Sequence, residues 1–134
     1  MSIKDYFLLP DYMDSEDIAL KIEEILKVST NPGISTVDVA QAFLEMIHRQ
    51  GENFGEKLPD NLVLRLKKWV VDFWDASSWD LFKVTSAIIV NLDFYYFPEG
   101  YRLLESALNS SDERIRQRAE KSLSEMTDTS AMLN

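Results

Sequence analysis

The sequence predicts an all-α fold, a compact bundle of about six antiparallel helices. Apolar residues recur at spacings of three and four in six segments, as in amphipathic helices. No two alternating runs flank an Asn-Gly or Asp-Gly turn, so strand signals are nearly absent. Most of the four glycines and four prolines lie between the periodic segments. We expect one helical domain over residues 1–134, with an N-terminal extension at residues 1–13 and a frayed tail at residues 127–134.

The first two helices are predicted from their apolar stripes and their caps. The first spans about Asp14 to Val28, and the second begins at Ser35 and ends before Gly51. The Ser35 hydroxyl can cap the second helix, with Asp38 at the third helical position as in a capping box. The stripes are Ile18, Ile22, Ile25 and Leu26 in the first helix, and Val39, Ala40, Phe43, Leu44 and Ile47 in the second.

The third helix begins near Pro59-Asp60, and the fourth begins at Ser77 or Ser78. The fourth is apolar on most sides from Leu81 to Leu92, which is typical of a buried central helix. The apolar row of the third helix is Leu62, Leu66, Trp69 and Phe73, and its polar row is Arg65, Lys68, Asp72 and Asp75. The polar row predicts ion pairs within a solvated face.

The fifth helix begins at Pro98, which suits a first turn, and the sixth begins near residue 111. Ser110 and Glu113 have the spacing of a capping box for that last helix. Alternate helix starts are separated by about 33 to 46 residues, which overlaps the period of two-helix solenoid repeats. A plain bundle of antiparallel pairs fits this spacing equally well.

The segment from Tyr101 to Leu123 resembles a HEAT-type repeat. An Ile-Arg pair precedes a small residue and a leucine in its second helix, and a polar turn joins the two helices. The matching positions are Leu103, Leu104, Leu108, Ser111, Asp112, Glu113, Ile115, Arg116, Ala119 and Leu123. The resemblance covers about 25 residues and implies HEAT-like hairpins. Bulky rings in the third and fourth helices favour a compact bundle of three hairpins over a long solenoid.

Charge and composition exclude several classes of function. The chain carries 23 acidic and 14 basic residues, a net charge of −9 and no cysteine. A nucleic-acid binder or a protein docked on anionic lipid needs a basic surface, so we expect neither partner. The absence of cysteine excludes disulfides and thiolate-ligated zinc. No apolar stretch approaches the roughly 18 residues of a membrane span, and the N-terminus does not resemble a signal peptide, so we expect a cytoplasmic protein.

No catalytic or metal-binding pattern is complete. His48 is the one histidine and follows Glu45 at the spacing of di-iron bundles, but those sites need a second histidine. An EF-hand that begins at Asp11 would place Glu16 at the position of the central glycine. Asp72 and Asp75 lack a neighbouring nucleophile and read as part of a solvated face. We therefore expect no enzymatic activity, no cofactor and no metal.

Acidic and aromatic residues interleave at both ends of the fourth helix. Residues 72–99 hold five acids and one base, and residues 5–24 hold seven acids and one base. The candidate partner-binding residues are Asp72, Asp75, Trp79, Asp80, Asp93, Tyr95, Tyr96 and Glu99. Acids and rings of this kind fit a basic protein partner, although the rings could instead close the core at helix corners. The two ends lie roughly 22 Å apart, too far for one small pocket. The last helix has a basic side of Arg114, Arg116, Arg118 and Lys121.

In overall character the chain resembles small acidic bacterial immunity proteins of contact-dependent growth inhibition and related toxin systems. That resemblance rests on size, charge, helicity and the lack of an active site. It implies a non-catalytic inhibitor that neutralises a basic, nuclease-type toxin by blocking its active site or substrate groove. The alternative is a small helical adaptor or regulatory subunit that binds a peptide or an enzyme through exposed rings.

Overall fold

The computed structural model describes residues 2–53 and 55–126, and these residues form an all-helical protein. The α-helices are α1 (Ser15–Val28), α2 (Thr36–Gln50), α3 (Asp60–Phe73), α4 (Trp79–Leu92), α5 (Pro98–Ala107) and α6 (Glu113–Glu125). Short 3-10 helices span Ile3–Leu8 and Asp93–Tyr95. No strand occurs among the described residues, so the all-α class is confirmed. The predicted tail at residues 127–134 lies outside the described residues.

Side-chain caps explain where the helices begin. The side chains of Asp14, Ser35 and Ser78 each accept the backbone N–H of the residue three positions later. Each bond satisfies a donor that has no partner within the first helical turn. The predicted Ser110 cap is wrong, because Asp112 caps α6 and accepts the Arg114 N–H at 2.9 Å. The Ser110 hydroxyl accepts the Asp112 N–H instead, at 3.1 Å. A charged carboxylate two residues closer to the helix outcompetes the hydroxyl.

The chain forms two compact units, one up to Leu66 and one from Lys67 onward, and the boundary falls within α3. Leu62, Leu66 and Trp69 are buried as the apolar row predicts. Phe73 is 38% exposed, so the row is only partly buried at this end. It occupies the last turn of α3, where it stacks on Trp69 at 4.9 Å between ring centres. The expectation of one domain stays a prediction.

In the first unit, α1 and the N-terminal 3-10 helix both pack against α2. The expected extension is therefore a folded element. Its capping box is complete, because the Ser2 hydroxyl accepts the Lys4 N–H and the Asp5 carboxylate accepts the Ser2 N–H at 2.7 Å. Tyr6 is 2% exposed and donates its hydroxyl hydrogen to Glu24 at 3.1 Å.

The segment after this 3-10 helix is held by polar side chains at the end of α2. Arg49 is 6% exposed and donates from Nε to the Pro10 carbonyl and from Nη2 to the Leu9 carbonyl, each at 2.8 Å. Its Nη1 donates to the backbone carbonyl and the carboxylate of Glu45. Asn53 donates to the Met13 carbonyl at 3.0 Å. These bonds provide donors for backbone carbonyls in a segment that has no helix or strand of its own.

In the second unit, α4 packs against α5 and α6, and α5 packs against α6. The burial predicted for α4 is confirmed, because eight of its 14 residues are buried. They are Leu81, Phe82, Val84, Thr85, Ser86, Ile88, Ile89 and Leu92. Gly100 permits the close approach of α5, since an added Cβ would lie 2.7 Å from the Phe97 ring and 2.8 Å from Ile89. Arg118 of α6 donates to the Ser86 hydroxyl and the Lys83 carbonyl of α4.

Candidate protein-binding surface

Six of the eight predicted partner-binding residues fall at the two ends of α4, whereas Asp72 lies in α3 and Glu99 in α5. Trp79 and Asp80 form its first turn, whereas Asp93, Tyr95 and Tyr96 follow its last residue. A helix of 14 residues is about 20 Å long at 1.5 Å per residue. The residues therefore form two separate surfaces, which we call the polar end (75–80 and 106–115) and the aromatic turn (93–97).

The loop between α3 and α4 is ordered by Asp75. Its Oδ1 accepts the Ser77 N–H at 2.9 Å and the Ser77 hydroxyl at 2.5 Å. Both bonds lower the pKa of the Asp75 carboxyl below its usual value, and the bond from the Ser77 hydroxyl has the larger effect. The carboxylate is exposed, so it stays ionised at the surface and presents a fixed negative charge.

Trp79 and Asp112 are brought together by Arg114. The Arg114 guanidinium carbon lies 5.2 Å from the centre of the Trp79 ring. Its Nη2 donates to Asp112 Oδ2 at 3.1 Å, and its Nε donates to Oδ1 at 3.4 Å. The Arg114 side chain, through its hydrogen bonds, lowers the pKa of the Asp112 carboxyl. In turn, Asp112 and then the nearby charge of Asp80 raise the pKa of Arg114.

Beside this cluster lies an open groove of about 610 Å³, formed by the loop before α4 and the α5–α6 turn. The described residues that line it include one carboxylate and no cation. They are Ala76, Ser77, Ser106, Ala107, Asn109, Ser110, Ser111, Asp112 and Ile115. The hydroxyl and amide groups can both donate and accept hydrogen bonds, and the carboxylate accepts them, so the groove can bind a ligand that carries donors.

The aromatic turn has an unusual backbone. Tyr96 has φ +63° and ψ 98°, a conformation that residues with a side chain seldom adopt. Lys67 supports the turn, because its Nζ donates to the carbonyls of Tyr95 at 2.9 Å and Tyr96 at 2.7 Å. Phe94 is 61% exposed and Tyr96 is 41% exposed. The turn thus presents two rings on a fixed backbone.

The other candidate residues have different environments. Asp93 is 1% exposed, so its carboxylate is not part of the acidic surface, and we leave it out of the proposed interface. Asp72 is exposed and pairs with Lys68 at 2.8 Å, which confirms the predicted intrahelical pair. Glu99 is exposed in the first turn of α5, and Tyr95 is half-buried with its ring edge-on to Phe94 at 5.0 Å.

Sequence reasoning missed Asp112, Arg114 and the groove as parts of this surface. Asp112 read as a polar turn residue, and Arg114 as one cation on a basic helix face. All four cations of that face make contacts within the chain. Arg114 pairs with Asp112 and Lys121 pairs with Glu125, whereas Arg116 binds the Ser110 carbonyl and Arg118 binds α4. No local pattern joins Trp79 to Arg114, since they are far apart in the sequence.

Among the described residues, no group of three or more His, Cys, Asp or Glu side chains is arranged to hold a metal ion. Within the same part of the chain, every helix is too short or too polar to cross a membrane. Comparisons with protein-family models, with curated proteins and with solved structures gave no match.

Proposed function

We propose that this protein is a non-catalytic, immunity-type inhibitor that binds a basic, nuclease-type toxin and blocks its active site or substrate groove. One observation carries the proposal. The polar end presents the exposed carboxylates of Asp75 and Asp80 beside a groove whose charged lining residue is Asp112. A nuclease surface must attract phosphate and is therefore basic, so an inhibitor that covers it gains from the opposite charge.

The physical roles divide between charge and shape. The exposed carboxylates raise the association rate by steering a basic partner over distances of about a Debye length. Trp79, half-buried and next to Asp80 in the first turn of α4, supplies a ring of a residue type that is enriched among interface hot spots. We also propose that α5 and α6 form a HEAT-type pair, whose joining turn supplies four of the nine residues that line the groove.

The test begins with the reading frames beside the gene. We expect one of them to encode a basic toxin domain, and we expect an equimolar amount of this protein to abolish the nuclease activity of that purified domain. An adjacent toxin domain that stays fully active in a tenfold excess of this protein would contradict the proposal. The same assay with the Asp75→Asn/Asp80→Asn double variant is expected to need more protein for equal inhibition.

A second candidate function is favoured by the aromatic turn. Exposed Phe94 and Tyr96 on a supported backbone suit an adaptor or regulatory subunit that binds a peptide or an enzyme through its rings. Such binding depends on apolar contact and changes little with salt concentration. A partner whose affinity falls in Phe94→Ala, yet is unchanged in Asp75→Asn/Asp80→Asn, would identify this function instead.

A further inference from the structure

The polar end already holds a guanidinium group, that of Arg114. The group meets both oxygens of Asp112, at 3.1 and 3.4 Å, and lies over the Trp79 ring at 5.2 Å. A carboxylate fork and an aromatic face are the two features that bind an arginine from another protein. The contacts of Arg114 therefore indicate which ligand chemistry this surface accepts.

These contacts are of a kind that another cation can replace. The Arg114 side chain is 62% exposed and the Asp112 side chain is 33% exposed. Water and salt compete strongly for ion pairs at such exposure, so the pair holds the guanidinium only weakly. Asp80 adds a second negative charge that acts on the same guanidinium.

The groove lies next to the occupied position. Asp112 belongs to both, because its carboxylate binds Arg114 and the residue is also among those that line the groove. The volume of about 610 Å³ is ample for one long side chain. Ser77, Ser110 and Asn109 add oxygens that can accept the N–H groups of a guanidinium.

We propose that Arg114 is an internal placeholder, which an arginine side chain of the protein partner displaces from Asp112 and Trp79 as it enters the groove. Arginine fits better than lysine, since its planar fork can pair with both carboxylate oxygens while it stacks on the indole ring. The inference rests on the proposed function only in taking the polar end as the surface that meets a basic partner.

The test uses a peptide in place of the partner. The probe is acetyl-Gly-Arg-Gly-amide, with the citrulline peptide as its uncharged match, titrated into the ¹⁵N-labelled protein. We expect the arginine peptide alone to shift the indole N–H signal of Trp79, assigned with Trp79→Phe, and the Nε–H signal of Arg114. Arg114→Ala is expected to bind this peptide about threefold more tightly, as suits the removal of a weak competing ion pair.

Two variants make the result specific. Arg102→Ala removes the same charge from an exposed position of α5, outside the polar end, and is expected to leave the affinity nearly unchanged. Asp112→Asn keeps a good helix cap but loses the carboxylate, and is expected to lower the affinity. The proposal is overturned if Arg114→Ala binds the peptide no better than the wild type, if Arg102→Ala tightens binding equally, or if neither protein binds.

The outcome is separable from that of the proposed function. The peptide titration requires no toxin, so it can succeed even when nuclease inhibition fails. Two results together would overturn this inference alone. The wild-type protein would inhibit the toxin, and the Arg114→Ala variant would bind the peptide no more tightly than the wild type does.

Discussion

At the scale of single residues, Tyr6 links burial to a dependence of stability on pH. Burial, followed by its hydrogen bond to Glu24, raises the pKa of the Tyr6 hydroxyl from 10.0 to about 12. The folded chain then holds this proton more tightly than the unfolded chain does. The contribution of Tyr6 to stability is complete below about pH 10 and is lost as the pH rises through about 12.

We therefore expect the free energy of unfolding to fall between about pH 9 and about pH 11.5 more in the wild type than in Tyr6→Phe. Urea titrations at both pH values measure the difference, because ionisation of other groups is common to the two proteins. Tyr12→Phe is the matched control, as Tyr12 is 69% exposed. If the free energy of unfolding falls equally in the wild type and in Tyr6→Phe, then folding does not raise the pKa of the Tyr6 hydroxyl.

At the scale of elements, the N-terminal segment depends on one buried side chain of α2. Arg49 binds the Leu9 and Pro10 carbonyls, and its loss leaves both without their donor. We expect Arg49→Ala to lower the free energy of unfolding by about 2–4 kcal/mol, as for other buried, charged hydrogen-bond donors. Chymotrypsin is expected to cleave the variant faster after Phe7 and Leu8.

Arg65→Ala is the control for this prediction. Arg65 lies in the same unit and pairs with Glu23 at 2.8 Å, but both side chains are more than 40% exposed. Its removal should cost less than about 1 kcal/mol. If the two variants lose similar stability, then Arg49 acts as an ordinary surface cation and does not fasten the segment.

How far the elements could be predicted depends on the sequence distance of the contacts that make them. The start of α4 follows from the Ser78 cap, and its burial follows from a nearly unbroken apolar run, both of which are local. The N-terminal 3-10 helix is too short for a periodic pattern, and Arg49, which binds the residues just after this helix, lies about 40 residues away. The same distance problem hid the pairing of Trp79 with Arg114.

At the scale of the whole molecule, the net charge of −9 is divided among surfaces with different surroundings. The first unit exposes Asp11, Glu16 and Asp17 around the start of α1. The second exposes Asp75 and Asp80 beside a ring and a groove, whereas Asp93 is buried. Composition alone therefore could not tell which acids are exposed at the surface, because it counts buried and exposed carboxylates alike.

Two double variants with equal charge changes separate these surfaces. Asp75→Asn/Asp80→Asn and Asp11→Asn/Glu16→Gln each remove two negative charges from exposed positions. With the basic toxin domain as partner, we expect the first variant to slow association about three- to tenfold at low salt, since local charges dominate steering. The second should slow it far less. Stopped-flow tryptophan fluorescence at several salt concentrations measures both.

The dependence on salt provides the second half of this prediction. Screening weakens attraction between exposed charges, so the wild-type association rate should fall steeply as salt increases. A variant that lacks the steering carboxylates should start lower and fall less, and the two rates should converge at high salt. If Asp11→Asn/Glu16→Gln slows association as much as Asp75→Asn/Asp80→Asn, net charge or the first unit governs the encounter, and the polar end is not the binding surface.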